Sequence, residues 1–413
     1  MRNVDAAGLG IGDDHPPRIM GVLNVSEESP YDPSVYDDPG EAAEYVDEEL
    51  IGEGADIVDV GLESANKDLD VLSAEQELDR LDTAVETLES TSGDAVWSIE
   101  TRYHEVADAA ISCGFDMVND ICGFADPEMP RVCREHDVAV SKMASPPDLE
   151  RPGAIEDVDE IYDALAMNGL TDKTILDPAF GGWSAAKTHD DDRETFHRLR
   201  EFRGYGRPLL VSINRKSFLK TIAGRTTEEA LPVSLAATSM AVERGAHVIR
   251  THDVAETRDA ALVGAEFARE RIRTTSAPGA VGVEELDVTT VSEAERHLDR
   301  LGTDPTVAGD AVVRTYELSG LTAEGVGALR AAVASADTNA SFALAGGDVA
   351  ATQHSMTDGG STGPAAADAT SRASGRRGLL VGTPRALGAV KSEASGVSAA
   401  LDAALETIDV GSP

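Results

Sequence analysis

A chain of 413 residues with 75 aspartates and glutamates against 35 lysines and arginines has a formal charge of −40. Such a surface repels nucleic acid and anionic membrane, which argues against non-specific binding to either. The length suits one large domain plus a smaller one. No run reaches the roughly 18 apolar residues of a membrane span, and MRNVDAAGLGIGDDHPP lacks the apolar core of a signal peptide. The three cysteines, Cys113, Cys122 and Cys133, are odd in number and lack CxxC spacing, so neither a disulfide framework nor a zinc site follows. A cytoplasmic protein is expected. Its carboxylates are spread along the chain rather than gathered in a tail, the pattern of a halophilic protein whose self-repulsion is screened by salt.

After an N-terminal tail (1–17), short apolar runs alternate with amphipathic stretches. The runs cover 18–25, 56–64, 95–101, 117–124, 138–145, 174–180, 208–215 and 247–253, and each is rich in β-branched residues and too short for a helix. They read as buried parallel strands. Between them, SAEQELDRLDTAVETLES opens with a capping box, Ser73 followed by Gln76, and HEVADAAISCG and SLAATSMAVERG end in the glycine common after helices. Eight strand–helix units over residues 18–273 predict a (β/α)8 TIM barrel. The competing doubly wound sheet is weakened by the absence of a GxGxxG turn after the first strand. SAPGAVG reads as a linker, and 274–413 as a small C-terminal α/β extension with a disordered Gly/Ser/Ala-rich insert near 355–377.

In such a barrel the site forms where the strands run out at their C-terminal ends. Those ends carry Asn24, Glu63 and Ser64, Glu100, Asn119 and Asp120, Lys142, Asp177, Arg215 and Lys216, and Arg250, His252 and Asp253. One buried polar residue is ordinarily a satisfied structural one; eight ends behaving alike point to a common mouth. Glu100, Asn119, Asp120 and Asp177 suit a flat heterocycle with several N–H donors, because a carboxylate takes a charge-assisted pair from an amino-pyrimidinone edge. Arg215, Lys216, Arg250 and His252, with the neutral Asn24, suit a phosphate or diphosphate. The segment SINRKSFLK places two of the chain's seven lysines beside an arginine, local positive charge that a bound anion needs in so acidic a protein. Lys220, on the segment that follows, reads as solvated.

MGVLNVSEES, GADIVDVGLES, SIETR, NDICG, ILDPAFG, NRKSF and VIRTHDVAET occur in that order across about residues 18–265. In order and spacing they resemble the motifs of the dihydropteroate synthase family, and the C-terminal region is more loosely similar to an extension of some archaeal members. The resemblance implies transfer of a dihydropterin-CH2 group from its diphosphate ester to 4-aminobenzoate, giving dihydropteroate and pyrophosphate. It implies that Asp177, Asn119 and Glu100 hold the pterin, and that Lys216 lies between the pterin carbonyl and the second substrate, with Lys216 and Asp177 catalytic. Asn24, Arg250, His252 and Arg215 would hold the diphosphate, Asn24 also holding Mg2+. Oligomeric state, homodimer included, stays open.

Several positions depart from the family pattern. Glu100 stands where SIDTR has aspartate. The first loop reads SEESP, and Ser64 is followed by Ala65, Asn66 and Lys67 rather than Thr-Arg-Pro. Gly181, Gly182, Trp183 and Ser184, with Lys187 and His189 downstream, replace Gly-Phe-Gly-Lys. Trp183, Lys67 and Lys187 are the candidates to substitute for the missing residues. The altered loops keep two alternatives open, a pterin-dependent methyltransferase on the same barrel and a non-catalytic pterin-binding paralogue. The cationic cluster argues against the methyltransferase.

The charge pattern predicts that the melting temperature rises steeply between about 0.1 M and 2 M KCl, since at 0.1 M the screening length is still ~10 Å. A melt unchanged across that range would contradict a halophilic surface.

Overall fold

The computed structural model describes residues 2–26, 34–63, 71–149, 155–181, 187–273, 281–335, 339–345, 349–351 and 376–408. The chain divides into two compact units, Met1–Glu285 and Leu286–Pro413.

The first unit opens with a hairpin, β1 (Val4–Ala6) and β2 (Leu9–Ile11), paired antiparallel with Val4 opposite Ile11. Eight parallel strands follow: β3 (Arg18–Asn24), β4 (Ile57–Gly61), β5 (Val96–Thr101), β6 (Met117–Asp120), β7 (Ala139–Met143), β8 (Thr174–Asp177), β9 (Leu210–Val211) and β10 (Val248–Thr251). They run in the order β8-β7-β6-β5-β4-β3-β10-β9. A parallel bridge between Leu176 and Leu209 joins the two ends and closes the sheet into a barrel. The helices between strands are α1 (Pro39–Tyr45), α2 (Ala74–Ser90), α3 (His104–Ser112), α4 (Met129–Glu135), α5 (Val158–Ala166), α6 (His189–His197), α7 (Ser217–Ala223) and α8 (Leu231–Glu243), with α9 (Val254–Glu266) after the last. The architecture is the predicted (β/α)8 barrel. Ser73 does cap α2, its hydroxyl accepting from Gln76 N while the Gln76 side chain accepts from Ser73 N.

Strand alternation sorts the side chains into two cores. Ile19, Leu23, Val58, Val60, Trp97, Ile99, Val118, Val140 and Ile249 pack outward among the helices. Met20, Ile57, Val96, Met117, Ala139, Ile175, Leu210 and Val248 fill the N-terminal floor of the barrel, where Val4, Ala6 and Ile11 of the hairpin join them. Residues 1–17, expected as a tail, therefore contain a plug that seals the end opposite the mouth. Three-residue strands with few apolar positions carry too little periodicity to be read from sequence. Asp13 secures the plug by ion pairs with Arg203, His247 and Arg271. Burial alone would raise its carboxyl, but the hydrogen bonds and charges of His247 and Arg271 hold it well below the usual carboxylate range.

The second unit begins with α10 (Val291–Leu301). Its antiparallel sheet, in the order β11-β14-β12-β13, comprises β11 (Arg314–Leu321), β12 (Ser341–Leu344), β13 (Val349–Ala351) and β14 (Arg376–Gly382). Helices α11 (Ala323–Ser335), α12 (Pro384–Ala394) and α13 (Ala399–Glu406) complete it, around Leu329, Phe342, Leu380, Leu387 and Val390. Residues 355–375 of the expected insert lie outside the described residues, while Arg376 and Arg377 open β14. Among the described residues no helix is long and apolar enough to cross a membrane.

Ile11 is fully buried in the floor. Ile11→Ala should cost about 2–4 kcal/mol in denaturant unfolding through the lost contacts and the cavity left behind. An unchanged unfolding midpoint would show that the hairpin only rests on the barrel.

Candidate active site

At the C-terminal end of the barrel a cavity of about 320 Å³ is walled by all eight strands or the loops that follow them. Asn24, Glu100, Asn119, Asp177, Arg215, Lys216, Arg250 and His252 all line it. Alternation explains the gathering: each strand that buries an apolar side chain at the floor presents its inward residues two and four positions later to the layers above.

The middle layer is polar, with Asp59 at its centre. This carboxylate has no exposed surface and accepts from Ser98 Oγ at 2.7 Å, Asn119 Nδ2 at 3.0 Å and Arg250 Nε at 2.7 Å. Arg250 also donates through Nη2 to Glu100 Oε2 at 2.6 Å. Two carboxylates from neighbouring strands thus clamp one guanidinium; burial disfavours its charge, but Glu100 and Asp59 raise its pKa further still. Glu100 is in turn pushed up by burial, and Arg250 offsets only part of that.

Asp177 Oδ1 accepts from the Ala179 backbone N–H at 2.8 Å. Ala179 holds a left-handed φ of 61°, so Asp177 both caps the turn and lines the cavity. Burial pushes its carboxyl up to about 6, tempered by that N–H and by Lys216. Lys216 lies over Gly181, whose φ is +83° and where a Cβ would fall 2.8 Å from Lys216 Cδ. Burial, then repulsion from Arg250, pulls the Lys216 ammonium down. His252 is pushed down to about 3 by burial and by Arg250, so its ring is neutral at pH 7. Its Nδ1 lies 3.0 Å from Ser34 Oγ, which accepts from Asn24 Nδ2 at 3.1 Å.

Four expected mouth residues are committed to partners within the protein. Arg215, expected at the diphosphate, borders the cavity but spends its guanidinium on Asp253 through Nε and Nη2 and on the carbonyls of Thr227 and Glu228 through Nη1. It braces two loops. The separation from Lys216 comes from a turn rather than strand alternation, since β9 stops at Val211 and Arg215 has a φ of 52°. Asp253 is the partner in that brace. Asp120 and Lys142 follow inward residues by one position and so face outward. Asp120 accepts from the N–H groups of Cys122 and Phe124, and Lys142 donates to the carbonyls of Leu165, Met167 and Gly169. Glu63 lines the cavity while paired with Arg102. Lys220 donates to Thr227 Oγ1, and Lys187 to Ala179 O with Asp192 nearby, so Lys187 braces the loop after β8. Ser64, Lys67 and Trp183 lie outside the described residues.

Sequence reasoning missed Asp59, Ser98 and Ser34. The first two had a legible signal, a polar residue at an inward position inside an apolar strand. Ser34 had none, because only the folded loop brings it beside His252.

A closed barrel whose mouth sets buried acceptors beside cations suits a polar heterocycle joined to an anion. The profile of the pterin binding enzyme family matches residues 20–252. Dihydropteroate synthase of Bacillus subtilis is 31% identical over 242 residues, 57% of this chain and 83% of that protein. Among solved structures, a dihydropteroate synthase from Coxiella burnetii in complex with pteroic acid superposes with a TM-score of 0.54 at 28% identity, over 64% of this chain and 98% of that one. The Xanthomonas albilineans dihydropteroate synthase with 4-aminobenzoic acid gives a TM-score of 0.54 at 29% identity, over 63% and 96%. The chain belongs to the pterin-binding enzymes and, within them, to the dihydropteroate synthases.

Proposed function

We propose that this cavity binds a (7,8-dihydropterin-6-yl)methyl diphosphate and 4-aminobenzoate and joins them into 7,8-dihydropteroate with release of diphosphate. The observation that carries the reading is the pairing, in one cavity, of an acceptor wall (Asp177, Asn119, Glu100) with a cationic one (Lys216, Arg250). Asp177 has one oxygen on the Ala179 N–H and offers its other to the donor edge of the pterin. The Asn119 amide nitrogen is held by Asp59, which leaves its carbonyl oxygen as the group for the 2-amino substituent. Glu100 serves a further ring N–H. Lys216, over Gly181, faces both the pterin carbonyl and the entering amine.

In the reaction the methylene C–O bond breaks and its electron pair leaves with the diphosphate. The lone pair of the amine forms the new C–N bond, and the nitrogen sheds a proton. No covalent nucleophile on the protein is needed. The chain orients the partners and stabilises the charge that builds on the leaving group. We assign that second task to Arg250 and the neutral imidazole of His252, which both line the cavity.

For a divalent cation we assign one ligand, the Asn24 amide oxygen. With Asn24 Nδ2 tied to Ser34, its Oδ1 points toward the bare Cα of Gly61, where a Cβ would sit 3.0 Å away. An amide oxygen is a hard donor of the class Mg2+ takes, and the substrate's phosphate oxygens would supply further ligands. Bound there, Mg2+ would neutralise part of the diphosphate charge. Among the described residues the one cluster of three His or carboxylate ligands, His104, Glu105 and Asp126, lies away from the cavity lining.

Pterin binding needs Asp177 ionised, and its carboxyl titrates near 6 in the unliganded protein. Affinity for a pterin should therefore be flat above pH 7 and fall toward tenfold per unit as the pH drops below about 6. Asp177→Asn should lose on the order of 2–4 kcal/mol of pterin binding together with this pH dependence. Calorimetry on the folded variant that shows normal pterin binding would reduce Asp177 to a cap. Lys216→Ala should lower turnover by about 10²-fold, roughly 3 kcal/mol, while Lys220→Ala leaves it within about twofold of the parent, as expected for a surface substitution. Equal losses in both folded variants would mean a diffuse electrostatic patch.

A further inference from the structure

Asp59 is buried without any exposed surface, and it does not line the cavity. A bare carboxylate in that position would be costly. Its hydrogen bonds remove the difficulty and also divide its work. Oδ1 accepts from Ser98 Oγ, while Oδ2 accepts from both Asn119 Nδ2 and Arg250 Nε. We infer that Asp59 is a positioning residue for substrate specificity: by holding the Asn119 nitrogen it fixes which end of that amide faces the ligand. The inference rests on the pterin reading of the cavity.

An amide is nearly symmetric in shape and opposite in hydrogen-bonding sense at its two ends. Asparagine offers two donors at one end and an acceptor at the other, and a half-turn about the terminal torsion exchanges them with almost no change in shape. At the mouth the exchange would be decisive. The acceptor end receives an N–H of a 2-amino-pterin, whereas the donor end would clash with that group and accommodate a 2-oxo ring instead. Asp59 settles the choice, because a carboxylate can only accept and so can only hold the nitrogen. Arg250 strengthens the lock, since the same Oδ2 takes its Nε and cannot turn away without unpairing a guanidinium. Ser98 fixes the other oxygen. The residue is thus a filter for the 2-amino group, acting one residue removed from the substrate.

The atom assignment separates two substitutions, one isosteric and one that removes the carboxylate. In Asp59→Asn the side-chain oxygen can remain toward Asn119 and Arg250, while the new NH2 group donates to the adaptable Ser98 hydroxyl. The orientation of Asn119 survives, and only the charge is lost. In Asp59→Ala nothing holds the nitrogen, and both orientations of Asn119 become available.

The test is calorimetry on the full chain in molar KCl, with a pterin and with the corresponding lumazine, in which oxo replaces the 2-amino group. The parent should prefer the pterin. Asp59→Ala should lower that preference by about tenfold or more, the value of one lost charge-linked orientation. Asp59→Asn should keep the preference within about threefold of the parent. Asp59→Ser, whose hydroxyl is too short to reach Asn119, replaces the alanine variant if that does not fold. A folded alanine or serine variant with the parental preference overturns the inference. So does a variant that loses both ligands in equal proportion, which marks a merely structural role, and so does equal loss of preference in Asn and Ala, which assigns the effect to charge. A parent protein that binds neither compound overturns the pterin reading, and this inference with it.

Discussion

Arg250 donates through Nε to Asp59 and through Nη2 to Glu100, and much of the mouth is arranged around those two contacts. A guanidinium inside a barrel is tolerable only when paired, and removing one partner of a buried pair typically costs 3–5 kcal/mol. Once the pair is in place, the rest is constrained. Asp59 also holds Asn119, Glu100 is drawn toward the arginine, and the charge of Arg250 helps to keep His252 neutral and to depress Lys216. The extra methylene of Glu100, relative to the aspartate of the family pattern, puts its carboxylate within 2.6 Å of Arg250. The substitution keeps the charge and ties it into the clamp.

Overall acidity gives these few cations their importance. With a formal charge of −40, an approaching diphosphate meets an unfavourable field at low ionic strength. Within the cavity wall Lys216 supplies local positive charge, whereas Arg250 is paired with Asp59 and Glu100 and Arg215 with Asp253. Positive charge is therefore divided between holding loops in place and facing the cavity. Ala179 and Arg215, both at positive φ beside the mouth, mark the turns on which that division depends. The Ala179 N–H donating to Asp177 and Lys187 donating to Ala179 O secure the first, and the Asp253 pair secures the second.

The barrel was legible because eight strands buried on both faces leave long apolar runs at regular intervals, and the mouth because polar residues ended them. What pattern could not supply was direction at single positions. Asp120 follows the inward Asn119 by one residue and so points outward, and Lys142 stands in the same relation to Ser141; both read as mouth residues only while the strand phase is unknown. Arg215 does line the mouth, but its pairing could not be read from alternation, because β9 is two residues long and a left-handed turn decides where the side chain goes. Asp59 carried a legible signal, a polar residue at an inward position of an apolar strand, but only its partners on three other strands show what it holds. The hairpin at residues 4–11 was hidden by its brevity.

The central claim is that one cavity holds a pterin diphosphate by its acceptor and cationic walls and passes the pterin-methyl group to an arylamine. Its most direct test is diphosphate release by the purified full chain in molar KCl with Mg2+, given the pterin-methyl diphosphate with and without 4-aminobenzoate. The account predicts release that depends on the amine and matches dihydropteroate formed, mole for mole. Tight pterin binding without amine-dependent release would contradict it and leave a barrel that binds a pterin but does not transfer it.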